Sequence, residues 1–337
     1  MDDLVAGDLP AFDGACRAAV TARAAQVLRP GGAFARLDEV AAWLAGWQRT
    51  ERPAVERPVA VVFVADHGVA SAGVSAYPAS VTAAMLRALR EGVATAAALA
   101  RNVGAALHVV DVGTGRPTAD LSEDAALSAE RFAECWAAGR EAVAAITADL
   151  LVLGEMGIGN TTAAAAVSAA LCGGPTRQWV GRGTGVDDAG LGRKLAAVDR
   201  ARARLRRLAG AGRMHPLEVL RQVGGAELVA IASAVVEARR RSVAVLLDGY
   251  VVTAAAAAVA AARPGALGHC LAGHRSPEPG HTRLLAHLDL APLLDLDLRL
   301  GEASGALLAV PLVRLAAAAV TEVATFAEWG LAPVEPG

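Results

Sequence analysis

Aromatic residues are scarce: 4% of a 337-residue chain that is 54% hydrophobic. A core without aromatic plugs must be built from alanine and branched aliphatics, with helices and sheet packed closely. Cysteine is also sparse, and Cys16, Cys135, Cys172 and Cys270 are scattered without a C-x-x-C pair. That excludes a disulfide framework or a zinc site of the usual spacing and points to a reducing compartment. Basic excess is missing, with a formal net charge of −2, so no nucleic-acid surface is expected. The local basic run 201–207 has helical spacing and reads as a solvated helix face. The chain starts with two aspartates rather than a basic-then-apolar leader, and its longest alanine-rich stretch, 251–262, is too short to span a bilayer. The expectation is a cytoplasmic protein with no membrane partner.

Several catalytic signatures are absent. No G-x-G-x-x-G follows the first apolar run, and no G-x-x-x-x-G-K-[ST], H-E-x-x-H or G-x-S-x-G occurs. A dinucleotide-dependent oxidoreductase is therefore disfavoured. His67, His269, His274 and His281 lack helical metal-ligand spacing and read as satisfied loop histidines.

What is present is an alternation. A continuous apolar run at 59–65 and strand patterns at 106–112, 150–153, 243–247 and 267–272, with a weaker one at 178–180, each lead into a loop containing glycine. Such runs mark strands buried on both faces of a parallel sheet. Helical patterns lie between them, among them 80–102, 129–148, 187–208 and 216–240, the last interrupted at Gly224-Gly225. About six repeats of strand, loop and helix predict an α/β fold, a doubly wound parallel sheet with helices on both faces. Helical segments at both ends fall outside the alternation. This predicts an α/β domain over 58–290 and a small helical domain from 1–57 and 291–337.

The loops after parallel strands open on one sheet edge, where ligands bind. Asp66, Asp111, Glu155, Asp248 and His274 follow strands in this way. Each alone could simply cap the next helix; together they predict a ligand crevice. After the run 150–153, Gly157 and Gly159 precede Asn160, Thr161 and an alanine-rich helix. Backbone amides at such a turn, reinforced by the helix dipole, suit a phosphate. Glu302 stands between Gly301 and Gly305 among Leu300, Ala303, Leu307 and Leu308. A dry environment there would raise its pKa and make it a base. These residues favour group transfer from a phosphorylated sugar.

Taken in order, Asp66–Val69 with Val74–Pro78, Glu155–Thr162, Gly181–Gly185, Leu246–Gly249, His274–Ser276 with Glu278 and Gly280, and Arg299–Glu302 form a set. This set closely resembles the nicotinate-nucleotide–dimethylbenzimidazole phosphoribosyltransferase family, over about residues 28–329. The resemblance implies a homodimer, with a six-stranded parallel sheet and a small helical domain in each protomer. It implies transfer of the phosphoribosyl group of nicotinate mononucleotide to 5,6-dimethylbenzimidazole or a related base, without metal or cofactor. Glu302 matches the family's general base. Glu155, Gly157, Gly159, Asn160, Thr161, Gly181, Gly183, Lys194, Asp248 and Ser276 match the nucleotide side, and Ser75, Tyr77, Pro78, Met85 and Leu300 the base side. A non-catalytic paralogue binding nucleotide would be expected to lack the base, whereas Glu302 is present. The chain departs from the family pattern at Ala303, where glycine is usual, and in a shortened segment 113–125.

Overall fold

The computed structural model describes residues 1–7 and 9–332. The chain opens with α1 (Asp2–Val5), α2 (Gly14–Ala24) and α3 (Ala35–Gln48), then enters the sheet at β1 (Pro58–Ala65). There follow α4 (Val81–Arg90), α5 (Thr95–Val103), β2 (Ala106–Gly113), α6 (Ala129–Ala144), β3 (Leu150–Met156) and α7 (Asn160–Cys172). The second half runs α8 (Asp188–Ala209), α9 (Pro216–Val223), α10 (Ala226–Arg240), β4 (Ala244–Leu247) and α11 (Tyr250–Ala262). It ends with β5 (Cys270–Ala272), α12 (Pro279–His287) and α13 (Ser304–Thr321).

The described strands form one parallel sheet in the order β2-β1-β3-β4-β5. The chain's progress across the sheet switches direction between β1 and β3, so a crevice opens beyond their carboxyl ends. Alternation along each strand divides the core. Val61, Phe63, Leu151, Leu153, Val245 and Leu247 face the layer of α6, α7, α9, α10 and α11. Ala60, Val62, Val64, Leu150, Val152, Ala244 and Leu246 face the layer that holds α3, α5 and α13. Helices therefore cover both faces, as the unbroken apolar runs require. The terminal helices contribute directly to the second layer: Val20, Leu44, Leu307 and Val310 belong to the same core as the strand residues.

Some boundaries differ from expectation. Among the described residues the sheet has five strands, not six. The apolar pattern at 178–180 is no strand: Thr176–Gln178 is a 3-10 turn. The Trp179 carbonyl there accepts a hydrogen bond from the Tyr250 hydroxyl at 2.9 Å. A backbone claimed by a side chain in this way is not available to a neighbouring strand. The expected helix over 80–102 is two helices, broken at Gly92, which takes φ +76°. The C-terminal helix starts at Ser304, two residues after Glu302. By length and composition α13 could cross a membrane. It instead packs along the sheet, with Ala306, Leu307, Val310, Val313, Ala317 and Val320 buried. A helix enclosed on most sides is apolar nearly all round. The expected helical domain over 291–337 includes residues 333–337, which lie outside the described residues.

Close packing of small residues makes a checkable contrast. A Cβ at Gly139 on α6 would fall 2.0 Å from the Ala230 carbonyl oxygen on α10. Gly139→Ala should therefore cost about 1–3 kcal/mol by overpacking. Gly192, on the exposed face of α8, has open space around it, and Gly192→Ala should instead stabilise by about 0.5–1 kcal/mol. Chemical denaturation of the two variants should shift the midpoint in opposite directions.

Candidate active site

At the carboxyl edge of the sheet lies a cavity of about 690 Å³. Loops after β1, β3, β4 and β5 meet there with the segment leading into α13. That volume lies within the range of small-molecule sites.

Strand β3 delivers the first group. Its residue Glu155 points into the cavity mouth, and its carboxylate accepts a hydrogen bond from the Asn160 side-chain amide. The chain turns back through Gly159, whose φ of +100° is left-handed, and α7 starts at once. A residue with a side chain would be strained at this φ, which is why the turn carries glycine. Thr161 in the first turn of α7 accepts a hydrogen bond from Lys194 Nζ of α8, at 2.9 Å. Lys194 is only 1% exposed, yet among the described residues its ammonium has no carboxylate in hydrogen-bond contact. Burial pulls its pKa down, opposed by the charge of Glu278. A buried, underneutralised cation beside a helix N-terminus is suited to receive an anion.

The segment before α13 delivers the second carboxylate. Gly301, Glu302 and Ala303 are all left-handed, at φ +85°, +61° and +66°. Left-handed conformations in the two non-glycine residues cost about 1–2 kcal/mol each, and strain of this kind clusters at functional sites. The segment is held in place by its contact with β3. The Glu302 amide donates to the Glu155 carbonyl at 3.0 Å. Gly154 in the strand leaves room for it: a Cβ there would lie 2.3 Å from the Ala303 nitrogen. Glu302 itself is 3% exposed, and its Oε2 has no hydrogen-bond partner.

The two carboxylates are electrostatically stressed. Burial raises the pKa of Glu155 well above 4.5, and Asp248, Glu227 and Glu302 raise it further, against the Asn160 hydrogen bond. Burial likewise raises that of Glu302, with Asp248 adding and a hydrogen bond from the Ala96 backbone opposing. Elevated carboxylates in a cavity are candidate proton acceptors.

Most of the expected site residues line this one cavity. Glu155, Gly157, Gly159, Asn160, Thr161, Gly183, Lys194, Ser276 and Glu302 do so, as do Ser75, Tyr77, Met85 and Leu300. Three stand outside the lining. Gly181 lies behind it, packed against the Glu278 carboxylate. Pro78 is exposed in the turn before α4. Asp248 is fully buried: its Oδ1 accepts from the Ala306 amide at 2.9 Å and lies 3.4 Å from His274 Nε2. It caps α13 and acts on the cavity only through its charge. Asp66 and Asp111 do not reach the crevice. Asp111 accepts from the Gly113 and Thr114 amides and Asp66 from the Gly115 amide, so both organise the turn after β2.

The four histidines near strand ends all have partners. His67 pairs with Glu227 at 2.5 Å, both fully buried, and His269 contacts the Val235 carbonyl at 3.0 Å. His274 faces Asp248, and His281 contacts Ser276 and Thr253. Arg182, within the expected loop Gly181–Gly185, also lines the cavity, as do Thr95, Tyr250 and Glu278, to which the sequence assigned no site role. Glu278 was the most accessible to sequence reasoning, being one more carboxylate in a loop after a strand. Thr95 carries no such signal, since it merely begins α5.

A family model described as phosphoribosyltransferase matches residues 9–331. The nicotinate-nucleotide–dimethylbenzimidazole phosphoribosyltransferases of Methylocella silvestris and Methylorubrum extorquens are 47% and 48% identical to the chain. Each alignment covers 96% of this chain and 93% of the relative. The chain belongs to this phosphoribosyltransferase family. A crystal structure of CobT from Thermus thermophilus superposes with a TM-score of 0.89 at 44% identity, covering 95% of this chain and 99% of that one. A second structure from the same organism, of a nicotinate-nucleotide–dimethylbenzimidazole phosphoribosyltransferase, superposes with a TM-score of 0.88 at 42% identity, with the same coverage. The parallel sheet, the glycine turns and the segment before α13 thus belong to a phosphoribosyltransferase fold.

The raised pKa of Glu155 has a consequence for stability. Below its unfolded value near 4.5 the carboxyl is protonated in both states and imposes no penalty. As pH rises through the higher folded value, the unfolded state ionises freely, the folded state resists, and stability is lost. Glu155→Gln should therefore melt at a higher temperature than the parent at about pH 8, with the gap closing as pH falls toward the unfolded value. Thermal melts across pH check this; a gap that widens on acidification would contradict it.

Proposed function

We propose that the chain transfers the 5-phosphoribosyl group of nicotinate mononucleotide to 5,6-dimethylbenzimidazole or a related base. The products are nicotinate and α-ribazole 5′-phosphate. The observation that carries the reading is Glu302, a cavity carboxylate whose Oε2 is buried without a hydrogen-bond partner. One benzimidazole nitrogen attacks C1′ of the ribose. The bond from C1′ to the nicotinate nitrogen breaks, and its electron pair neutralises that positively charged ring nitrogen. The N–H proton at the other benzimidazole nitrogen goes to Glu302. A positioned base with a raised pKa matches such a proton better than an ordinary surface carboxylate.

The other residues are assigned by chemistry. Lys194, Thr161 and the turn through Gly157, Gly159 and Asn160 take the phosphate, whose charge stabilises the lysine ammonium against burial. Glu155 and Ser276 line the nucleotide side. The apolar lining residues Tyr77, Met85 and Leu300, with Ser75, take the benzimidazole. The reading includes a homodimer, as the family resemblance implies, with the helices at both ends of the chain offering surface to bury between two protomers. The same reading carries a cytoplasmic location.

Incubation with nicotinate mononucleotide and a panel of benzimidazoles, with chromatographic detection of nicotinate, tests the reaction directly. Glu302→Gln should fold, still bind nicotinate mononucleotide, and turn over at least about a hundredfold more slowly, the loss expected of a positioned base. The parent rate should fall on the acid side, with a midpoint above 4.5, because only the ionised carboxylate accepts the proton. A Gln variant retaining more than about a tenth of parent turnover would assign the proton elsewhere. Light scattering at about micromolar concentration should give a two-chain particle; a persistent monomer would remove the dimer.

A further inference from the structure

The loop after β5 contains a hydrogen-bond chain whose direction is fixed at both ends. His281, on the first turn of α12, is fully buried. Its Nδ1 lies 3.0 Å from the Ser276 backbone nitrogen and 2.9 Å from Ser276 Oγ. A backbone N–H can only donate, so Nδ1 is the unprotonated nitrogen of the ring. The neutral ring must then carry its proton on Nε2, which lies 3.1 Å from Thr253 Oγ1. Thr253 in turn donates to the Gly249 carbonyl at 2.9 Å, leaving its oxygen free to accept from His281. Burial, with the charges of His274 and Arg275, pushes the His281 pKa down to about 3, so the ring stays neutral across the working range.

Direction matters at the other end. With Nδ1 bare, an approach of 2.9 Å from Ser276 Oγ is attractive only if the hydroxyl proton lies between them. Ser276, which lines the cavity, is left offering it lone pairs alone. Two residues on, Glu278 uses Oε1 to accept from the Gly183 amide at 2.7 Å, while its buried Oε2 has no partner. Ser276 therefore presents an acceptor and no donor to the cavity. Phosphate and the nicotinate carboxylate are themselves acceptors and would be repelled there. A sugar hydroxyl is a donor and would be welcomed.

We propose that His281 is a positioning residue that turns the Ser276 hydroxyl proton away from the cavity, so that Ser276 accepts a hydrogen bond from a ribose hydroxyl of the phosphoribosyl donor. The inference rests on the functional reading above for its ligand, but the polarity of the chain rests on the protein alone. It identifies a point in the wall that a hydroxyl of the nucleotide satisfies and its phosphate does not.

The test measures binding of nicotinate mononucleotide and its 2′-deoxy and 3′-deoxy analogues by calorimetry, beside steady-state kinetics. Ser276→Ala and His281→Phe should each weaken nicotinate mononucleotide about tenfold, the size of one hydrogen bond to a ligand, and raise KM more than they lower kcat. His281→Asn keeps an acceptor near the Nδ1 position and should recover most of the affinity. For the analogue that lacks the bonded hydroxyl, Ser276→Ala should bind as the parent does. Equal losses for nicotinate mononucleotide and both deoxy analogues would overturn the assignment and leave His281 a packing residue. Independently, ¹⁵N spectra of the unliganded parent should show His281 protonated at Nε2; protonation at Nδ1 would overturn the polarity argument whatever binds. A parent chain that shows this tautomer but does not bind nicotinate mononucleotide would instead overturn the functional reading, and the ligand assignment with it.

Discussion

One backbone hydrogen bond, from the Glu302 amide to the Glu155 carbonyl, ties the head of α13 to the end of β3. Much of the site depends on it. It holds two buried carboxylates as neighbours, although their charges repel and each has lost its water. It also anchors a run of three left-handed residues that would relax if released. Gly154 makes the contact possible, because any side chain at that point in the strand would meet the Ala303 backbone. The sheet is thus more than a scaffold at a distance: its central strand contributes a carboxylate, a carbonyl anchor and the vacancy into which the second carboxylate is set.

The cavity carries charge of both signs. Glu155 and Glu302 line it, Asp248 lies buried outside its lining, and Lys194 adds a buried ammonium. A ligand with a phosphate at one end and a displaceable cationic ring at the other would complement both. Neither charge is well stabilised by the protein alone, which is the expected condition of groups reserved for a ligand and a proton.

Much of this was legible in the sequence, for identifiable reasons. Strands such as 59–65 and 150–153 are buried on both faces, so they read as unbroken apolar runs, and the glycine turn after β3 follows from the need for positive φ at Gly159. Glu302 stood out because it is a carboxylate set among leucine and alanine. The rest failed where three-dimensional context outweighs local pattern. The apolar stretch at 178–180 looks like a strand, but Tyr250 captures its backbone. Asp66 and Asp111 stand at strand ends as Glu155 does, yet local amides claim them. The left-handed geometry of Glu302 and Ala303 has no sequence signature, since neither is glycine. Nor does a serine declare which way its hydroxyl points; that became readable only when His281, five residues later, folded back against Ser276.

The two carboxylates are supplied by segments nearly half the chain apart, the later one at the entrance to the last helix. A chain growing from its N-terminus can form the sheet and the phosphate turn before residue 302 exists. Such an intermediate has the β3 carboxylate in place but not its neighbour. The paired-carboxylate geometry is completed only when α13 docks across the sheet and brings the two glutamates together. Any fluctuation that peels that helix away would separate the two carboxylates and uncover the sheet face of Ala60, Val62 and Leu246 while the opposite layer stays covered, so the geometry of the cavity reports the integrity of the final helix more sensitively than global stability does.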